Sequence, residues 1–196
     1  MISPNSRPAS LTSTSAGWGA FSLLLTATPL ALRGEGRSWW CACGQGYAWV
    51  SDIWSDHCSQ HLLDAYSFSH LLHGLIFYFA AQWLMPKMRF VWQFWIATFL
   101  ECAWEILENS PFIIQRYRAV TISLGYEGDS VINSLADVAC FMLGFRLAKY
   151  LGFSRSLLVF AVTEIVSLAT IRDNLTLNVL MLVWPVEAIK AWQMVH

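Results

Sequence analysis

Three glutamates occupy one face of an apolar segment. Glu101, Glu105 and Glu108 lie in residues 90–111, of which residues 90–107 are long and apolar enough to cross a bilayer as a helix of roughly 27 Å. The spacing of i, i+4 and i+7 places their side chains on one stripe. An acid at the membrane centre costs about 2.5–3.5 kcal/mol, so the stripe is expected to face protein, water or a bound ion.

Two histidines accompany this stripe. His70 and His73 lie one turn apart near the start of another apolar segment, at the depth of the glutamates in an alternating topology. A lone buried histidine is usually a packing residue, whereas two on one face indicate a site. Imidazole with carboxylate suits acid–base chemistry or a divalent metal such as Zn²⁺ or Mn²⁺. The predicted metal ligands are His70, His73 and Glu105.

A third polar series lies at the start of a later apolar segment. Asp129, Asn133 and Asp137 recur at i+4, and Asp129 or Ser130 is the expected N-cap. A polar seam between helices explains Asn133 and the serines but not a buried aspartate. We therefore add Asp137 to a predicted catalytic set, which consists of His70, His73, Glu101, Glu105 and Asp137.

Further polar residues are predicted to bind a ligand at the same membrane depth. Arg116 and Arg118 are expected to form salt bridges with the outer carboxylates. The predicted binding residues are Glu108, Arg116, Arg118, Asp129, Asn133, Arg172 and Asn174. Because these residues come from separate segments and share one depth, an outward-facing cavity is predicted.

The composition predicts an all-α polytopic membrane bundle. The 196 residues are 56% hydrophobic and 13% charged, far below the charged fraction of soluble domains. Apolar segments occupy residues 16–32, 66–85, 90–107, 131–151, 154–171 and, less clearly, 175–189, which gives five to six spans. Residues 1–15 are predicted to form a disordered cytoplasmic tail, and residues 16–196 a single membrane domain.

Loop charges orient the predicted bundle. The first segment has no clean small-x-small cleavage site, which favours an uncleaved span over a signal peptide. Lys and Arg bias short loops to the cytoplasm, so the tail, Lys87, Arg89 and Lys190 are placed there. Six spans would leave both termini inside. A net charge of -1 gives no nucleic-acid footprint.

The loop after the first segment is rich in aromatics, cysteines and histidines, and should lie on the outer membrane surface. His57, His61 and Asp64 would share one face of a short helix, either as metal ligands or as the wet side of an interfacial helix. Cys58 is expected to pair with Cys41 or Cys43, or all three to stay free thiols. A metal site is less favoured because C-x-C lacks the C-x-x-C spacing.

Four motifs carry a family resemblance. The segments are SQHLLDAYSFSHLLHG (59–74), WEILENSPFIIQRYR (104–118), GDSVINSLAD (128–137) and IRDNLTLNVLMLVWPVEAIKAW (171–192). They resemble an uncharacterised family of small bacterial multi-pass inner-membrane proteins of unknown function. The resemblance implies a location but no activity. His61 and Asp64 match the family pattern whereas His57 does not. A fainter likeness joins the chain to VanZ-like membrane proteins, by analogy alone.

The sequence supports two classes of function. One is an enzyme that acts on a lipid or lipid-linked envelope substrate, and the other is a non-catalytic protein whose cavity holds a headgroup or a partner helix. No G-x-S-x-G motif decides between them. An aspartyl-type intramembrane peptidase is the runner-up enzyme, and it needs two carboxyl groups about 3 Å apart. Asp129 and Asp137 are about 12 Å apart along one helix, so Asp137 would have to pair with Glu101 or Glu105 across helices.

Overall fold

The computed structural model describes residues 12–195 as a helical protein with one short pair of parallel strands. The elements are α1 (Thr12–Gly34), β1 (Trp49–Val50), β2 (Leu63–Asp64), α2 (Ser67–Leu84), α3 (Phe90–Glu108), α4 (Pro111–Val120), α5 (Val131–Ile171), α6 (Leu175–Val183) and α7 (Glu187–Gln193). The all-α class is confirmed. Of the predicted tail, residues 1–11 lie outside the described residues, and α1 begins at Thr12.

Helix α5 is a hairpin rather than a rod. Gly152 interrupts it at φ 71° and ψ 177°, a backbone conformation that side chains other than glycine rarely adopt. A straight helix of 41 residues would separate its ends by about 60 Å. Instead Tyr66 donates to Asp173 at 3.4 Å, and Ser130 N donates to Ser59 O at 2.9 Å, so both ends lie beside the start of α2. The predicted segments 131–151 and 154–171 are therefore two antiparallel halves.

Hydrogen bonds define one end of the bundle, called the cavity end below. Val131 N donates to Ser38 O at 2.8 Å, which places the end of α1 beside the start of α5. Asn109 Nδ2 donates to Asp129 Oδ2 at 3.0 Å, which adds the end of α3. Helices α1, α2, α3 and the two halves of α5 thus alternate in direction.

Two glycines allow α2 and α5 to touch. A Cβ on Gly74 would lie 2.1 Å from Phe141 O, and a Cβ on Gly144 would lie 2.0 Å from Leu71 O. Phe141 and Phe145 are fully buried beside this crossing, and Leu72, Leu75 and Ala148 form a second buried cluster. Close backbone approach of this kind fixes the depth and rotation of α2, and hence of the histidines it carries.

Several local predictions are wrong. The sequence predicts a helix stop at residues 109–111 and an outer loop over residues 112–130, yet Ser110 accepts a hydrogen bond from Ile113 N and caps α4. The expected helix over residues 57–64 is replaced by turns and the strand pair, because Asp64 accepts from Ser59 N and Tyr66 N instead of facing the histidines. Ser130 is the N-cap of α5, as one of the two alternatives had it.

The carboxyl-terminal apolar stretch forms two short helices, α6 and α7, not one span. Gln193 Nε2 donates to Asp173 Oδ1 at 3.0 Å, so the chain returns to the cavity end. Lys190 Nζ donates to Ala119 O at 2.6 Å and therefore shares an end with α4. The prediction that Lys190 and Lys87 lie on the same side is wrong for this reason.

By length and hydropathy, one helix among the described residues qualifies as a membrane span, namely Val131–Ile171. Only 11% of an apolar 18-residue stretch of this helix is buried within the protein. This finding gives weak support for membrane association, and the count of five to six spans stays a prediction.

Candidate functional site

Helices α2, α3 and α5 bring the predicted catalytic residues into one buried cluster, called the His/acid cluster below. His70 Nδ1 lies 2.7 Å from Glu101 Oε1 and 3.2 Å from Glu105 Oε1. Its Nε2 lies 4.0 Å from Asp137 Oδ2. One imidazole therefore contacts acids from two other helices, which links the glutamate stripe to the polar series of α5.

His73 extends the His/acid cluster by one helical turn. Its Nδ1 lies 3.6 Å from Glu101 Oε1, and its ring meets that of His70 edge to face at 5.5 Å between centroids. Two overlapping groups here have ligand atoms within 4.8 Å of one another, one of them His70, His73 and Glu101 and the other His70, Glu105 and Glu108. The predicted trio of His70, His73 and Glu105 is thus divided between two groups that share His70.

Glu105 lacks the hydrogen bonds that a buried carboxylate needs. It is fully buried, and neither carboxylate oxygen accepts a hydrogen bond from any described residue. Oδ1 of the buried Asp137 likewise accepts no hydrogen bond from any described residue. Unsatisfied buried acids are costly and mark sites where a proton, an ion or a ligand group completes the arrangement.

Asp129 lies at the edge of the same site, before the first turn of α5. Its carboxylate accepts from Asn109 Nδ2 at 3.0 Å and from Tyr126 Oη at 3.0 Å, and its own N–H donates to Asn109 Oδ1 at 2.6 Å. Burial raises the pKa of Asp129 to about 6, against the lowering effect of the Asn109 hydrogen bond. This carboxyl group therefore changes charge near neutral pH.

A cavity of about 760 Å³ opens above the His/acid cluster. Its polar residues include His70, His73, Glu101, Glu108, Asp129 and Asp137. The remaining wall is largely apolar and comes from α3, α4 and α6, including Leu107, Phe112 and Leu182. The cavity thus combines an acidic and imidazole floor with a hydrocarbon wall, which fits an amphipathic ligand.

The two arginines do not neutralise the acidic stripe as predicted. Arg116 lines the cavity, but its guanidinium donates to Leu182 O at 3.0 and 2.9 Å and so joins α4 to α6. Arg118 donates to Tyr126 O at 2.5 Å and pairs with the exposed Glu127 at 3.4 Å. The predicted salt bridges to the glutamate stripe do not form, because α4, a helix that the sequence did not predict, directs both side chains elsewhere; Arg118 forms its salt bridge with Glu127 instead.

Three other predicted binding residues have structural contacts and do not line the cavity. The backbone N–H of Asn133 donates to Oγ of Ser130, the N-cap of α5, at 3.3 Å. Asn174 caps α6 by accepting from Leu177 N at 2.8 Å. Arg172, at φ 53°, ends α5 and donates to Trp192 O at 3.3 Å.

Asn109, Tyr117 and Tyr126 belong to the site and were missed. Tyr117 Oη donates to Asn178 Oδ1 at 3.1 Å, and both residues line the cavity. The sequence predicts a helix stop at Asn109, and Asn109 also continues the Glu101 and Glu105 spacing by a further four residues. The helical period therefore indicates that Asn109 belongs to the site, whereas no local sequence pattern indicates that Tyr117 and Tyr126 do.

The fold and site define a class, namely a helical protein with a buried imidazole and carboxylate cluster beneath an amphipathic cavity. The chain belongs to the DUF2585 family of proteins of unknown function, whose pattern matches residues 32–195. The predicted membership of an uncharacterised family is confirmed.

The chain is also similar to several bacterial proteins named UPF0314. A UPF0314 protein of Paracoccus denitrificans is 48% identical over 177 residues, covering 90% of this chain and 91% of the relative. A UPF0314 protein of Sphingopyxis alaskensis is 46% identical, covering 90% and 94%. One of Rhizobium meliloti is 46% identical over 158 residues, covering 81% and 80%. No solved structure matches the chain.

Proposed function

We propose that this chain is a multi-pass protein of the bacterial cytoplasmic membrane whose cavity binds the polar end of a lipid or lipid-linked envelope substrate. The observation that carries the proposal is the cavity itself, in which unsatisfied buried acids and two histidines lie beneath an apolar wall. A water-soluble substrate would gain little from that wall, whereas an acyl or prenyl chain would bury against it.

The exterior of the helices supports the membrane part of the proposal. Large apolar side chains are exposed along the bundle, with Trp83 at 80%, Tyr150 at 72% and Ile165 at 66%. Exposed apolar surface of this extent is unfavourable in water and favourable against lipid. Under this proposal five segments cross the membrane, since α6 and α7 have 9 and 7 residues and are too short for a core about 30 Å thick.

The basic turn at the end opposite the cavity supports the orientation. Lys87 and Arg89 lie in the turn between α2 and α3, and Lys149 Nζ lies 3.9 Å over the ring of Phe90, so all three share the end opposite the cavity. Positive residues favour the cytoplasmic side, which turns the cavity outward. Reporters fused after Lys87 and after Tyr126 should lie on opposite sides, and a same-side result would overturn both the orientation and the outward cavity.

Lipid retention tests the cavity directly. Ala103 is exposed and lines the cavity, so Ala103→Trp fills the space without replacing a residue of the His/acid cluster. Ala161 is exposed on α5 away from the cavity, and Ala161→Trp is the matched control. We expect wild type and the control to retain a stoichiometric amphiphile through detergent washes, measured by mass spectrometry, and Ala103→Trp to lose it. Equal retention in both variants would refute the cavity as the binding site.

A second measurement separates an enzyme from a binding protein. A divalent metal held by the histidines and acids would polarise a phosphoryl or acyl oxygen and activate water, which favours hydrolysis. Metal bound in wild type and lost in His70→Gln supports an enzyme. A cluster that binds no added Zn²⁺ or Mn²⁺ supports the non-catalytic alternative, in which protons on the acids complete the site.

A further inference from the structure

The loop between α1 and α2 brings two cysteines and two histidines together from positions up to 20 residues apart in sequence. Their candidate ligand atoms all lie within 4.8 Å of one another, and the residues are Cys41, Cys43, His57 and His61. This group is separate from the His/acid cluster and shares no residue with it. The sequence alone favours a disulfide or free thiols for these cysteines.

The distances match the edges of a tetrahedron around one zinc ion. With Zn–S of about 2.3 Å and Zn–N of about 2.0–2.1 Å, a tetrahedral site has S–N edges of about 3.5 Å and N–N edges of about 3.4 Å. The observed separations are 3.4 Å for Cys41 Sγ to His57 Nδ1 and 3.7 Å for Cys43 Sγ to His61 Nε2. The two imidazole nitrogens are 3.4 Å apart.

We propose that this loop holds one structural Zn²⁺ ion with four protein ligands and no open coordination position. The ligands are Cys41, Cys43, His57 and His61. Soft thiolates and imidazoles select zinc among the common divalent ions, and four protein ligands leave no place for a reacting water. The C-x-C spacing, which argued against a metal in sequence, is accommodated because the turn around Cys43 directs both sulfurs to one point.

The disulfide alternative lacks a partner. Cys58 Sγ lies 3.8 Å from Asp64 Oδ2, in a different contact from Cys41 and Cys43, and all five cysteines are free. Cys41 and His61 are buried, so the site has two anchored ligands and two more accessible ones. The backbone N–H of Tyr47 donates to His61 Nδ1 at 3.3 Å. A zinc ion on His61 Nε2 would place the ring proton on Nδ1, so this hydrogen bond would break when the metal binds.

The site fastens the loop that lies over the cavity. Ser59 and Tyr66, which line the cavity, follow His57 and His61 in the same segment. Ile132 N donates to Trp39 O at 3.3 Å, so the segment before Cys41 contacts the start of α5. Zinc would tie these two parts of the loop together and rigidify the cavity rim, since metal binding contributes directly to folding free energy.

Metal analysis of the purified full chain tests the proposal. We expect at least one zinc per chain by mass spectrometry of the metal, and a cobalt-substituted form with the absorption of a tetrahedral thiolate site. Cys43→Ser and His57→Ala change accessible residues and should each lose the metal and the cobalt spectrum. Cys58→Ser, a cysteine of the same loop outside the group, should keep both.

His70→Gln separates this site from the His/acid cluster. The proposal requires that variant to keep the loop zinc, whatever happens to a second metal. Wild-type protein that binds no zinc or cobalt, or that carries a disulfide among Cys41, Cys43 and Cys58 under non-reducing mass spectrometry, would overturn it. Zinc lost in His70→Gln but kept in Cys43→Ser would assign the metal to the other cluster and equally refute a loop site.

Discussion

The glycine contact between α2 and α5 offers a test of how the site is positioned. In Gly74→Ala the new Cβ would lie 2.1 Å from Phe141 O and 2.6 Å from Phe145 N. Carbon atoms essentially never approach so closely, so the two helices must separate by about 1 Å, which forfeits up to about half of each dispersion contact across the interface. Because both obstructing atoms are backbone, no side-chain rotation relieves the clash.

The expected loss of stability follows from this overlap. Overpacking costs about 1–3 kcal/mol, and a backbone obstruction belongs at the upper end. The gain of about 1 kcal/mol from replacing glycine in a helix partly offsets it, which leaves a net loss of about 2 kcal/mol. For a chain of this size that lowers the unfolding temperature by about 4–8 °C. His70 lies one turn before Gly74, so its contacts with Glu101 and Asp137 should lengthen as well.

Thermal unfolding in detergent, followed by the fluorescence of the 11 tryptophans, measures the effect. Gly19→Ala in α1 is the matched control, since a Cβ there meets nothing within 4 Å, and it should leave stability unchanged or raise it. If Gly74→Ala were as stable as the control, the close approach of α2 and α5 and the positioning of His70 that depends on it would be refuted.

The remaining predictions concern charge and capping. The pKa of Asp129 is about 6 in the folded chain, against an ordinary value of 3.8. The protonated carboxyl group therefore contributes its full stabilisation of the fold below about pH 3.8, and this contribution is lost as pH rises through about 6. Asp129→Asn should flatten that part of the pH–stability curve, and an unchanged curve would contradict the burial argument. Glu164 accepts from the first two N–H groups of α6 at 3.0 and 3.1 Å. Glu164→Ala should therefore lower the free energy of unfolding by about 1–2 kcal/mol, and a loss no larger than that of the exposed Glu187→Ala would contradict this role.

The helical period predicted much of the site from local sequence. Glu101 and Glu105 had to share a stripe because helix geometry fixes their angle, and the cost of burying acids required partners for them. His70 and Asp137 followed from the same reasoning applied to two other segments. Each inference needed only the period of one helix and the expense of an unpaired charge.

Other features depended on contacts between distant parts of the chain. Whether Arg116 faced an acid or a carbonyl was decided by α4 and α6, which pack on each other through residues 66 positions apart. The loop cysteines and histidines were ambiguous for the same reason, since spacing along the chain says nothing about a turn that redirects Cys43 toward His61.

The sequence by itself determined the all-α class, the main apolar segments and the acidic stripe, because composition and helical period act locally. Its four motifs carried the resemblance to an uncharacterised family. The tertiary structure decided that α5 folds back at Gly152, that the last stretch forms two short helices at the cavity end, and that His70 contacts Glu101, Glu105 and Asp137. These outcomes depend on a positive φ, on the close approach of two glycine-bearing helices and on long-range hydrogen bonds, none of which a local pattern specifies.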